Sequence, residues 1–195
     1  MGNFNIEKIE QFPGLMTIVN DKFDDNRGYF QEIYKYSKLL TIEDMVQWNH
    51  SFSEEGVFRG LHFQWNPHMG KFVRCLTGSI VDMVLDIRKD SPSYGKVYKI
   101  VLDKPEIGFW VPPGFAHGFL AMQDSHVLYG CSGEYSSGHE SAISWNDSNV
   151  DINLESWFNL TELKITAKDN TAMTLRDWEK TKESENFIFE ELYRG

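Results

Sequence analysis

The sequence predicts an all-β fold, a β-barrel or jelly roll with a few peripheral helices. From Gln47 to Trp145 the chain is a series of short apolar runs separated by Gly, Pro, Asn and Asp, the pattern of many short strands joined by tight turns. Within "IVDMVLDIR" the side chains alternate, with Asp82, Val84 and Asp86 on one face and Val81, Met83, Leu85 and Ile87 on the other, the period of a strand. After Trp145 the texture changes, and "TLRDWEKTKESENFIFEEL" is charged and helix-compatible.

In chain order, "GLMTIVNDKFDDNRGYFQEIY" reads as strand, polar turn, strand, and "KYSKLLTIEDM" is the one early helix candidate. The runs "KFVRCLTG", "SIVDMVLDIR", "KVYKIVLD", "IGFWVPPGFAHGFLAM" and "HVLYGCSGEYS" supply the central strands. The C-terminal third is expected to form loops and one or two helices outside the β core, with a charged helical tail from about residue 175. With 195 residues and no linker or repeat, residues 1–195 are read as one domain, large enough for a core without disulfides.

A formal charge of −10 argues against nucleic-acid or anionic-membrane partners, which need a basic footprint. Cys75 and Cys131 stand in separate apolar runs with no C-x-x-C spacing. No signal-peptide core or membrane-length apolar run is present, so a soluble cytoplasmic protein is expected. One segment stands out against this acidic background. "GVFRGLHFQWNPHMGKFVR" is rich in apolar residues yet carries Arg59, His62, Lys71 and Arg74. Such groups are costly to bury unless paired, so they are either rim charges or the lining of a pocket that holds an anion and moves protons. Arg59 and His62 are an odd interval apart and would face opposite ways on a regular strand; Gly60 between them permits a bulge that brings both round. Arg74 is read as structural.

"WVPPGFAHGF" carries Pro-x-Gly-x-x-His between apolar runs and looks like the second motif of the cupin superfamily of β-barrels. Metal cupins pair that histidine with a His-x-His. Here "GLHFQ" offers a single histidine, fewer ligands than a catalytic metal site uses, so no metal or cofactor is expected. His50, His68, His126 and His139 stand beside turn-like residues and are expected to face water.

Taken together, "DDNRGYFQE", "QWNHSFS", "GVFRGLHFQ", "GKFVRCLTGSIVDMVLDIRKDSPSYGK", "WVPPGFAHGF" and "ISWND" resemble the dTDP-4-dehydrorhamnose 3,5-epimerases, the RmlC family of cupins, over roughly residues 13 to 170. The resemblance implies epimerisation of a nucleotide-linked 4-keto-6-deoxyhexose at C3, C5 or both, through an enolate. It implies His62 as base, a task suited to imidazole near neutral pH, with Asp169 of "ITAKDN" as its partner. Lys71 would stabilise the enolate oxygen, and Tyr129 would exchange a proton on the opposite sugar face. Arg59 would hold the diphosphate, with Gln47, Asn49, His117, Tyr135 and Lys168 as further pocket residues. Arg27, Phe30 and Glu32 would reach the nucleotide across a homodimer interface.

On the residues alone, His62 reads equally as a core or rim histidine, Lys71 as a turn lysine and Tyr129 as core packing. Arg27 and Glu32 read as surface ion-pair residues, and Lys168-Asp169 as a solvated loop pair. Departures from the family pattern are Glu54 and Glu55 before the arginine, Glu134 beside Tyr135, and Gly130 where a lysine is frequent. Added negative charge near a diphosphate pocket is unfavourable unless these side chains point away.

Overall fold

The computed structural model describes residues 2–193, and thirteen strands run through them. They are β1 (Phe4–Lys8), β2 (Met16–Asn20), β3 (Lys22–Asp25), β4 (Gly28–Gln31), β5 (Gln47–Ser53), β6 (Phe58–Gln64) and β7 (Lys71–Thr77), followed by β8 (Ile80–Asp86), β9 (Val97–Leu102), β10 (Ile107–Val111), β11 (Phe115–Ala121), β12 (Ser125–Cys131) and β13 (Glu140–Ala142). A six-stranded sheet has the order β1-β2-β10-β7-β12-β5 and a five-stranded sheet the order β13-β6-β11-β8-β9; β3 and β4 form a separate hairpin. From β5 to β12 the chain passes repeatedly from one sheet to the other, so the expected β fold is a jelly roll of two facing open sheets rather than a closed barrel.

The apolar residues sort into three layers. Val73, Cys75, Phe109, Val111 and Val127 of the six-stranded sheet meet Ile80, Val84, Phe115 and Phe119 of the five-stranded sheet. Outside the five-stranded sheet, Phe58, Phe63, Val81, Met83, Leu85 and Ile87 pack against Ile143, Ile152, Leu175, Trp178 and Phe187. Outside the six-stranded sheet, Met16, Ile18, Phe72 and Trp110 are covered by Leu39 and Ile42. Strand β8 is therefore buried on both faces, with the two-residue alternation its sequence suggests. Its Asp82 and Asp86 are fully buried, and each has bonding partners. Asp86 accepts from Arg88, Ser91 and Ser93.

Helices are short and C-terminal: α1 (Ala167–Asn170), α2 (Leu175–Glu179) and α3 (Phe189–Tyr193). Thr166 and Thr174 cap α1 and α2 by accepting the amides of Asp169 and Asp177. The charged sequence from 175 onward is anchored by Trp178 and Phe187, both buried against Phe63. Truncating a buried aromatic of this kind costs about 3–5 kcal/mol.

Two other expectations have clear outcomes. "KYSKLLTIEDM" is not an α-helix; only a 3-10 turn forms, over Tyr36–Lys38. An 11-residue segment has little helical stability of its own, and here Leu39 and Ile42 are used as pegs on the six-stranded sheet. Arg74 is structural. Its guanidinium is buried, donates to Asn20 Oδ1 at 2.5 Å and Pro105 O at 2.6 Å, and is lowered by burial to about 10.

Candidate active site

Between the two sheets lies a cavity of about 520 Å³, walled on one side by β6 and β11 and on the other by β5, β7 and β12. The first wall depends on a bulge at Gly60. Four residues of β6, Arg59 to His62, lie opposite only three of β11, Phe119 to His117. Gly60 takes φ +145°, and a Cβ there would lie 2.5 Å from Gly118 Cα; a Cβ on Gly118 would lie 2.5 Å from Arg59 O. Two glycines let the strands touch, and the shifted phase turns both Arg59 and His62 toward the cavity. His62 and His117 become direct cross-strand neighbours.

Each imidazole has a carboxylate. His62 Nε2 lies 2.7 Å from Asp169 Oδ1, which leaves Nδ1 with the free lone pair when Nε2–H donates. Asp169 is itself buried on α1. Burial pushes its carboxyl upward, but the hydrogen bond to His62, that ring's charge, the Gly60 amide and the Thr166 contact hold it below the usual carboxylate range. His117 Nε2 lies 3.0 and 2.9 Å from the two oxygens of Asp82. Burial lowers His117 below the ordinary imidazole value in spite of that carboxylate, so it is neutral at pH 7 and donates Nε2–H to Asp82.

The opposite wall carries donors. Tyr129 and Asn49 are paired across β12 and β5, and Cys131 lies opposite Lys71 across β12 and β7. Burial raises the Tyr129 phenol, Cys131 adds to the rise, and Arg59 opposes it; the group is a phenol at neutral pH. Burial draws the Lys71 amine down, and its hydrogen bond to His62 O is long, 3.4 Å. Gln47 Nε2 donates to Asn49 Oδ1 at 3.0 Å. Arg59 reaches from the first wall to the edge of the second, donating Nε–H to Ser53 Oγ at 3.0 Å and Nη2–H to Phe52 O at 3.2 Å.

At the mouth, Tyr135 N–H donates to Gln47 Oε1 at 2.9 Å, and both Tyr135 O–H and Lys168 Nζ donate to Glu140 Oε1, at 2.9 and 2.6 Å. The cavity lining thus gathers His62, Tyr129, Asp169, Lys71, Gln47, Asn49, Arg59, His117, Tyr135 and Lys168. It does not include Arg27, Phe30 or Glu32 of the same chain. Arg27 is exposed in the β3–β4 turn and paired with Asp25 at 2.6 Å; Phe30 is 65% exposed; Glu32 accepts from Gly2 N and Lys35 Nζ. Glu54, Glu55 and Glu134 also lie outside the lining, and Glu54 pairs with Lys164, so the extra acids do not bring their charge into the cavity. Gly130 faces away too, under Met45.

Two site residues escape a reading of the sequence. For Asp82, the partner of His117, the signal available is its place among the apolar residues of β8, which it shares with Asp86; Glu140, which joins Tyr135 to Lys168, has no local signal. Among the described residues, no group of three or more His, Cys, Asp or Glu side chains is placed to hold a metal ion.

The sequence profile of the dTDP-4-dehydrorhamnose 3,5-epimerase family matches residues 10–177. The chain belongs to this family. It is 37% identical over 161 residues to the dTDP-4-dehydrorhamnose 3,5-epimerase of Sinorhizobium fredii, covering 79% of this chain and 81% of that protein. The crystal structure of the epimerase from Sulfolobus tokodaii matches with a TM-score of 0.79 at 38% identity, over 89% of this chain and 96% of that one. A third similar protein is the RmlC of Legionella pneumophila in complex with dTDP-4-keto-L-rhamnose, with a TM-score of 0.82 at 31% identity, over 96% and 98% of the two chains. The family match ends before α3, so the last turns of the C-terminal layer lie beyond it.

Proposed function

We propose that this chain epimerises a dTDP-linked 4-keto-6-deoxyhexose, dTDP-4-dehydro-6-deoxyglucose, at C3 and C5, giving dTDP-4-dehydrorhamnose. The observation that carries this reading is that His62 and Tyr129 stand on opposite sheets and line one cavity. The carbonyl at C4 acidifies the C–H bonds at C3 and C5. His62 takes one of these protons at Nδ1, and the C–H electron pair moves into the ring as an enolate whose charge rests on the C4 oxygen. Asp169 holds the ring orientation and stabilises the imidazolium. The Lys71 ammonium offsets the enolate charge. The Tyr129 phenol gives its proton to the other face of the same carbon, which inverts it, and solvent restores both groups. A phenol kept protonated by burial suits that delivery.

Arg59 would grip the diphosphate, a task suited to its planar fork. Gln47, Asn49, His117, Tyr135 and Lys168 would hold the rest of the sugar nucleotide. Arg27 and Phe30 are exposed on a hairpin unattached to either main sheet, and Glu32 follows its last strand, which supports donation of the three to a second copy's cavity in a homodimer. The substrate is a cytoplasmic metabolite in this reading, and no helix among the described residues is long and apolar enough to cross a membrane. The test is incubation with dTDP-4-keto-6-deoxyglucose in heavy water, followed by NMR. Deuterium at both C3 and C5 with inversion is expected; no exchange at either carbon would refute the assignment.

A further inference from the structure

The six histidines divide into two groups by what their ring nitrogens meet. His62 and His117 face carboxylates, His68 faces the carbonyl of Asn186, and His139 faces the Ser136 hydroxyl. Among the described residues, His50 and His126 bond only to each other, with Nε2 of His50 2.9 Å from Nδ1 of His126. They lie on the face of the six-stranded sheet opposite to the cavity. On β5 the alternation sends Gln47, Asn49 and Ser51 into the cavity and leaves Trp48, His50 and Phe52 exposed. In the β5–β12 register His50 stands opposite Leu128 and His126 opposite Phe52, so the two imidazoles form a diagonal pair on one face. The Phe52 ring lies 5.0 Å from that of His126, and His50 is exposed.

We propose that His50 and His126 form a chelating site for a divalent transition-metal ion, with copper(II) the best fit and nickel(II) and zinc(II) weaker. Imidazole is a preferred ligand for these ions, which follow that affinity order around copper. Metal–nitrogen bonds of about 2.0–2.1 Å place two ligand nitrogens about 2.9 Å apart at a right angle and about 3.3 Å apart at the tetrahedral angle. The observed separation of 2.9 Å is that of two adjacent corners of a square-planar ion. At present the two nitrogens share a single proton along one line. Turning both rings off that line aims the two lone pairs at a common point, and the hydrogen bond so broken is replaced by two bonds to the metal. Two protein ligands leave the remaining corners to water. The net charge of −10 favours cation capture.

The experiment is a copper(II) titration of the untagged full chain by calorimetry and electron paramagnetic resonance. One ion per chain with two equatorial nitrogen ligands is expected. His50→Asn and His126→Asn should each weaken binding at least about tenfold, and the double variant should be no weaker than either single one, because one missing arm already breaks the chelate. His139→Asn, which alters an imidazole elsewhere, should bind as the parent does. Absence of stoichiometric binding, or binding that survives in both single variants, would overturn the site. Solvent deuterium exchange into the sugar should be unchanged in all four variants, so failure here and failure of the epimerase assignment remain distinguishable.

Discussion

The two walls of the cavity are built from the same kind of antiparallel strand and carry opposite chemistry. On the five-stranded side His62 and His117 stand next to one another, each tied to a buried carboxylate, Asp169 or Asp82. On the six-stranded side Tyr129, Lys71, Asn49 and Gln47 face inward with no Asp or Glu among them. A carboxylate beside an imidazole fixes its tautomer and the direction of its ring, and a buried phenol with no acid to relay through keeps its proton. In the proposed reaction one wall takes protons and the other gives them. A ring held between the two can then lose a proton on one face and regain it on the other.

The largest expected effect of breaking this asymmetry is at His62. His62→Ala should slow solvent exchange at both sugar carbons by about 10²–10⁴-fold, the range for a general base, with nucleotide binding kept; near-parent exchange by NMR would remove the base from that wall. Tyr129→Phe should be milder and of a different kind. Net inversion should fall about 10²-fold, while exchange of the abstracted proton, returned to the same face, falls much less. Equal loss of both would place Tyr129 outside proton delivery.

The smallest effect concerns His117 and stability. Its folded-state affinity for a proton is depressed by burial, so the unfolded chain binds that proton more readily. The resulting stability is complete above about pH 6.5, the ordinary imidazole value, and is lost as pH falls toward the folded value. Melting temperature should therefore drop on acidification through that window, by about 2–4 °C for each kcal/mol lost, and His117→Gln should flatten the profile. An unchanged slope in the variant would place the acid sensitivity elsewhere.

Much of this arrangement is legible in the amino-acid order wherever one strand decides the outcome. Alternation in "IVDMVLDIR" gives both faces of β8, and Gly60 between Arg59 and His62 marks the bulge. What spans the chain is not legible from local pattern. Asp169 lies 107 residues from His62, and "AKDN" looks like any polar turn until α1 is docked against β6. Glu140 is equally silent, because its partners Tyr135 and Lys168 come from a loop and from α1. The segment from Lys35 to Met45 misleads for a related reason. Its apolar spacing suits a helix, but those residues meet a sheet surface that fixes their positions without one.

The touching glycines at 60 and 118 carry a consequence for anyone who would retune this protein. His62 sits two residues beyond one of them and His117 immediately before the other, so the backbone gap that they permit also sets how far apart the two rings stand. A side chain at either position would pry the strands apart and drag both imidazoles from their acids together. The spacing of the two imidazoles is thus a single mechanical adjustment, with no way to move one and leave the other.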